Sequence, residues 1–490
     1  MILAGVVFIT VLIVLIGLYA SRQVAGDSEN FIVAGRSLAL PVSAATLMAQ
    51  AVDTNATLGN TDLASQFGFW AGAALPVGLA ICLFITGLFF AKPMNRLQLT
   101  TLPDFYRRTY GRGVEIAASI IMVLSFSILL AGNLVAGGYL FQEFLGTSYT
   151  VGVLLIVGIV MLYTVAGGLF SVAYTDVIQV SLVFLGVAAL VVYITLEYGF
   201  AVPSGSGPLA TGQLTDPADG AYINWATLAA LGLGDIVAID FMQRIFAAKN
   251  PKTAQRACFL GGLGTLMIGV PFSFIALSAG PILGGLGVTV EGPVLYALLQ
   301  NAVPAWLAVV VLSGIVAAGL STADGAILGT SAVAARNLLG QRGQGAAGTD
   351  DGRDSLLLTT RLMSFPIAGL AVFFALRVPE TGILLTLAFD IGFASLLVPL
   401  AMGLFWSRAT PAAAMACIAA GMTTRIVFFV LTPTTFGVDN TLLYIPNDIF
   451  GAGFDGLPTF LSPIVGLMAY VITALCTQPA PAAARGTASV

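Results

Sequence analysis

Residues 48–60 set amides, hydroxyls and an acid inside a run that is otherwise apolar. The stretch reads Met48-Ala49-Gln50-Ala51-Val52-Asp53-Thr54-Asn55-Ala56-Thr57-Leu58-Gly59-Asn60. At membrane depth such side chains are costly unless they face a cavity or a partner. Asp, Asn and Thr also offer the backbone local hydrogen bonds that compete with helix. Both facts predict a broken helix whose freed carbonyls can meet a cation. Gln50, Asp53 and Asn55 are the side chains there that suit a polar solute. A second break is expected at Leu231-Gly232-Leu233-Gly234-Asp235, and Asp390 is a third acid at similar depth. Arg425 also lies within an apolar run, where it can pair with one of these acids. For Thr54, Thr57 and Asn60, hydrogen bonding between helices is an equally good reading.

The elements that must position these groups are membrane helices. Hydrophobic residues are 58% of the chain and charged residues 9%, against roughly 25% charged in a soluble domain. Crossing a bilayer takes about 20 apolar residues of helix, and several runs reach that length. They are continuous rather than alternating, which favours helices over a barrel. Thirteen spans are predicted, near 2–20, 39–66, 69–91, 114–141, 150–167, 171–198, 222–246, 256–282, 304–338, 356–378, 380–406, 411–432 and 458–477. Residues 2–20 lack the basic start and cleavage site of a secretory leader and are kept as the first span. Broken spans 2 and 7 would run in opposite directions, five spans apart. That predicts two inverted five-helix repeats, 39–198 and 222–406, with a site between their broken first helices. The remaining parts are 1–38 (first span and inner loop), an external loop at 199–221, spans 12–13 within 407–478, and a cytoplasmic tail at 479–490.

Basic residues give the expected orientation. Arg22, Arg36, Lys92, Arg96, Arg107, Arg108, Arg112, Arg244, Lys249, Lys252, Arg256, Arg336, Arg342, Arg353, Arg361, Arg408 and Arg485 all fall on one side. Glu197, Asp216, Asp219, Asp439, Asp448 and Asp455 fall on the other. Cytoplasmic loops carry the excess of Lys and Arg, so an inner (plasma) membrane protein with its N-terminus outside and C-terminus inside is expected. Histidine is absent, which removes histidine-based catalysis and metal binding. Cys82, Cys258, Cys417 and Cys476 have no paired spacing and read as small core residues. With no nucleophile motif either, an enzyme is not expected. No nucleic-acid partner is expected; the partners are the bilayer, a small solute and an ion.

Further stretches carry a family resemblance. They are Gly35-Arg-Ser-Leu38, Thr101-Leu-Pro-Asp-Phe-Tyr106 with Tyr110-Gly111, and Gly167-Gly-Leu-Phe-Ser-Val-Ala-Tyr-Thr-Asp-Val-Ile-Gln179. Asp240-Phe-Met-Gln-Arg244 with Ala247-Ala-Lys249 and Ala254-Gln-Arg256 follows, then Leu320-Ser-Thr-Ala-Asp324, then Pro399 to Trp406 with Arg408-Ala-Thr410. In this order, at these places in the topology, they resemble the sodium:solute symporter family over nearly the whole chain. The resemblance implies an inverted-repeat core like that of the amino-acid/sodium symporters. It also implies secondary active transport driven by sodium influx.

Carried over by motif, the resemblance implies a sodium ion between the carbonyls of Ala49 and Val52, the carbonyl of Ala318, and the hydroxyls of Ser321 and Thr322. Sodium, like other hard cations, prefers oxygen ligands, and Ala318, Ser321 and Thr322 share a helix face at i, i+3 and i+4. The competing reading is that both hydroxyls bond back to their own helix. Some members hold a second sodium nearer the cytoplasm, which brings in Asp176 and Asp324. Gly325 departs from the Ser or Thr seen there, so the sodium count stays open. Asp176 reads alternatively as an ion-exit acid or a helix cap.

The expected cargo is a small polar organic solute, amine-bearing or cationic, with Asp53 or Asp235 as counter-ion. A neutral solute held by Gln50, Asp53 and Asn55 is the alternative, as is coupling to protons. A membrane sensor is disfavoured by the short stretch after 478, and a passive channel by the broken helices.

Overall fold

The computed structural model describes residues 2–290, 292–341, 354–441 and 443–477. Arg342, Arg353 and Arg485, assigned above to the inner side, and the tail 479–490 lie outside the described residues. Within them the chain is almost entirely helical; the one sheet is a hairpin pairing Thr434–Thr435 with Val438–Asp439.

Nine described helices are long and apolar enough to cross a membrane, or eleven if each of two bent pairs is one span. The bent pairs are Ala221–Val237 with Ile239–Ala247 and Thr381–Ser395 with Leu397–Phe405, each kinked by 46°. Predicted spans 2 and 5 fall outside that number for physical reasons. The second is divided into the short helices Leu40–Ala51 and Asn60–Phe67, and the apolar helix of the fifth runs only Tyr149–Leu162. Length and composition therefore support nine to eleven spans and leave the thirteenfold division open.

Burial separates the layers. Arg112–Leu145 and Ala305–Leu338 are 72% buried over their most apolar windows, whereas Ala4–Val24 is 24% buried there. The first two are central and the last faces outward, as an apolar helix does when lipid is its solvent.

Three local devices shape the centre. The long helix Tyr149–Glu197 turns at Gly168, where φ is +57° and ψ is −169°. An L side chain rarely adopts that conformation, and a Cβ there would fall 2.6 Å from Cδ2 of Phe31. Span 11 kinks near Leu396, and the Tyr106 hydroxyl donates to the Leu396 carbonyl at 2.9 Å. Tyr110 donates to the carbonyl of Pro399 at 2.7 Å. The Thr101–Tyr110 stretch thus satisfies carbonyls freed by a kink. Its Asp104 accepts from Arg336 Nε at 2.8 Å, anchoring the end of span 9. Cys82, Cys258 and Cys417 are buried as expected, but Cys476 is exposed, because it ends its helix on an outward face.

Candidate ion and solute site

The second span breaks where the sequence predicts. Helix Leu40–Ala51 ends at Val52, whose ψ of 59° leaves the helical range. A π-turn, Asn55–Gly59, then leads into Asn60–Phe67. Asp53 organises this restart. Its Oδ1 accepts the backbone N–H of Ala56 at 2.7 Å, in the manner of a helix cap. Its Oδ2 accepts from Asn55 Nδ2 at 2.7 Å and from Asn133 Nδ2 at 3.0 Å. Thr54 closes the ring by donating to Asn133 Oδ1 at 2.7 Å. All four residues are buried.

Span 9 crosses this break closely because Gly319 has no side chain. A Cβ at Gly319 would sit 2.2 Å from the Thr54 hydroxyl. The crossing brings Thr322 to the freed backbone: its hydroxyl lies 3.5 Å from the carbonyl oxygen of Ala49. Val52 and Ala318 are buried, with exposures of 2% each. The Ser321 hydroxyl turns the other way and donates to Asp176 Oδ1. Of the five residues assigned to sodium, Ala49 and Thr322 meet directly, and Ser321 joins a neighbouring cluster.

That cluster centres on Arg244. Its Nε donates to the Thr46 hydroxyl at 2.9 Å, and its Nη1 donates to the carbonyl of Asp240 at 3.1 Å. Its Nη2 lies 3.8 Å from Asp176 Oδ2, which also accepts from Thr46. The Gln50 amide bridges Asp240 and Arg244 when its nitrogen donates to Asp240 Oδ2 at 3.1 Å and its oxygen accepts from Arg244 Nη2 at 2.8 Å. Asp324 belongs to the same group: Thr164 lies beside it, and Asp176 and Arg244 lie within electrostatic reach. Its Oδ1 has no hydrogen-bond partner among the described residues. Gly325 makes room, since a Cβ there would stand 2.8 Å from Gln50 Oε1 and 3.0 Å from Arg244 Nη2.

The placement of Arg244 corrects the sequence reading. By sequence it groups with the loop cations at the inner surface, which leaves Arg425 as the intramembrane arginine. Arg244 is instead wholly buried among acids. The kink after Val237 carries Ile239–Ala247 back against Leu40–Ala51, so a basic residue near the end of an apolar run ends up inside.

The seventh span breaks through a π-turn at Ala230–Gly234, a single turn Asp235–Val237, and an extended Ala238 with ψ of 128°. Asp235 is fully buried here, and neither carboxylate oxygen has a hydrogen-bond partner among the described residues. The thiol of Cys82, a weak donor, lies beside it, and Asp53 and Asp240 act on it electrostatically. Asp390 differs: its Oδ2 forms an ion pair with Arg425. Three side chains of this region give no signal of their own in the sequence. Thr46 and Asn133 are lone polar residues on apolar helices, and Asp240 lies inside a family motif.

The family model described as sodium:solute symporter family matches residues 31–421. The high affinity choline transporter 1 of Homo sapiens is 27% identical over 360 residues, covering 69% of this chain and 61% of its own length. The chain thus spans about three-fifths of the choline transporters it matches. The osmoregulated proline transporter OpuE of Bacillus subtilis is 26% identical over 516 aligned positions, covering 98% of this chain and 96% of its own. A sodium-coupled sialic acid symporter, solved substrate-bound and outward-open, superposes with a TM-score of 0.77 at 15% identity, over 98% of both chains. MhsT in complex with L-phenylalanine gives a TM-score of 0.56 at 13% identity, over 90% of this chain and 98% of its own. At these identities the structural likeness is one of fold. The curated relatives are transporters rather than enzymes.

Proposed function

This chain belongs to the sodium:solute symporter family, and from that premise we propose that it couples sodium influx to uptake of a small amine-bearing organic solute by alternating access. The observation that carries the sodium part is the meeting of the Ala49 carbonyl and the Thr322 hydroxyl across two helices. Together with the carbonyls of Val52 and Ala318 they offer neutral oxygen donors, the chemistry a weakly held hard cation needs. Ser321 links this site to Asp176, so ion occupancy at one is felt at the other. The multi-pass chain sits in the plasma membrane with its N-terminus outside, an orientation supported by the sidedness of Lys and Arg.

The amine part rests on which acid is left over. Asp53 is committed to the helix restart, and Asp390 is neutralised by Arg425. Asp235 alone of the three acids Asp53, Asp235 and Asp390 has two buried oxygens with no full hydrogen bond among the described residues. A buried carboxylate without a partner is costly, and a solute ammonium would satisfy it. Asp53 also supplies a carboxylate at the N-terminus of the restarted helix. A solute carboxylate aimed there would meet like charge, so a solute without one is favoured over a zwitterion.

Uptake into proteoliposomes separates the readings. Under an inward sodium gradient, quaternary and primary amines should accumulate ahead of neutral analogues. Asp235→Asn should remove amine uptake, and Thr322→Ala should raise the sodium concentration needed. Uptake driven by a pH gradient and indifferent to sodium would defeat the coupling assignment.

A further inference from the structure

A cavity of about 530 Å³ lies at the end of the first span, away from the ion and solute site, with Arg22, Leu162, Val165 and Arg361 in its lining. Three elements meet there: the turn after Ala20, the helix that begins at Tyr149, and Ser355–Arg377. Among the described residues, neither arginine forms an ion pair with an acid. Arg22 stacks over the ring of Tyr19 at 5.2 Å, and Arg361 over that of Phe31 at 5.5 Å. Arg361 is half-buried, and its Nε is enclosed with no hydrogen-bond partner among the described residues.

Two guanidinium groups lining one cavity without a counter-charge repel each other, and an anion relieves that repulsion. The planar N–H fork of arginine matches phosphate oxygens. The surroundings say where that phosphate comes from. Leu162 is 80% exposed, Tyr19 70% and Leu358 56%, an apolar belt on the outward side of the helices. Tyrosine marks the headgroup level of a membrane protein. Leu162 and Val165 give the cavity an apolar wall, which suits the glycerol and first methylenes of a lipid and which a free phosphate would leave uncovered. The other arginine-lined cavity, of about 390 Å³ beside Arg107, Arg108 and Arg336, is different. There Arg336 is held by Asp104 and Arg107 faces Glu115.

We propose that the cavity between Arg22 and Arg361 binds the phosphate headgroup of an anionic phospholipid. The bound headgroup would brace the Gly168 turn. Leu162 and Val165 precede the Gly168 turn, and Phe31, under Arg361, packs on Gly168 itself. The site is independent of what the chain transports.

The test uses the full chain in nanodiscs of mixed phosphatidylcholine and phosphatidylglycerol, with retained lipid read by native mass spectrometry. Wild type should retain phosphatidylglycerol preferentially. The double variant Arg22→Gln/Arg361→Gln should lose about thirtyfold of that preference, roughly fivefold per arginine. Arg108→Gln, at an exposed arginine of the other cavity, should keep it. If the double variant does not fold, Arg22→Gln alone should lose about fivefold. Equal retention of the two lipids by wild type, or unchanged retention in the Arg22 variants, overturns the proposal. A rise in melting temperature with inorganic phosphate as large as with phosphatidylglycerol would assign the cavity to a free anion and also overturn it.

Discussion

The two broken helices use the same device to different ends. At the second span the acid is consumed locally: Asp53 caps the restarting helix and ties in Asn55 and Asn133. At the seventh span the acid is left open: Asp235 is buried with both oxygens lacking a hydrogen-bond partner among the described residues. One break is a finished structural joint, and the other is a joint with an unmet demand. A broken membrane helix is therefore not a binding site by virtue of being broken. What matters is whether its polar groups are already answered by the protein, since an unanswered buried charge needs a partner from outside.

The largest expected effect is at Arg244, which joins Ile239–Ala247 to the other broken helix through Thr46 and to the helix Tyr149–Glu197 through Asp176. Removing one partner of a buried ion pair typically costs about 3–5 kcal/mol. Arg244→Met should therefore abolish a monodisperse peak in size-exclusion chromatography, and adding Asp176→Asn should restore part of it. Next come the two acids themselves. Asp53→Asn loses a cap and two amide bonds and should lower stability by about 1–3 kcal/mol, read as a fall in melting temperature. Asp235→Asn should leave the melting temperature unchanged or raised, while amine uptake falls roughly thirtyfold or more with its counter-ion gone. Equal destabilisation by both changes would erase the distinction between the breaks.

Thr322→Ala removes one oxygen facing Ala49. The sodium concentration for half-maximal uptake should rise about tenfold, since a lost polar contact is worth about 1–1.5 kcal/mol, with folding intact. The smallest effect is expected at Gly325→Ala. The new methyl would press on Gln50 and Arg244, both side chains able to shift, at a cost of about 1 kcal/mol. A melting temperature lowered by a few degrees, with sodium dependence unchanged, would place Gly325 in the packing of the cluster rather than at an ion.

Much of the fold was legible because the bilayer imposes simple rules on sequence. Polar residues at 48–60 and glycines at 231–235 announced both breaks, since each type disfavours continuous helix. Arg244 was misplaced for an equally clear reason. A basic residue at the end of an apolar run usually marks the inner surface, and nothing local announced that a 46° kink would return it to the interior. Thr46 and Asn133 stayed silent for a related reason: a single hydroxyl or amide on an apolar helix gives no signal until its partner is known. Cys476 reads as a core residue from composition, yet the outward face of its helix is a matter of packing.

The sequence by itself determined that this chain is a bundle of membrane helices, that helices 2 and 7 break, and which family it belongs to. These follow from composition, local backbone chemistry and ordered motifs, all of which are written along one dimension. Only the tertiary structure decided which acids are spoken for: Asp53 by Asn133 as well as its own helix, Asp390 by Arg425, Asp176 by Arg244. Neutralising a buried charge is a matter of a few ångströms between distant segments, and sequence spacing carries no record of that distance.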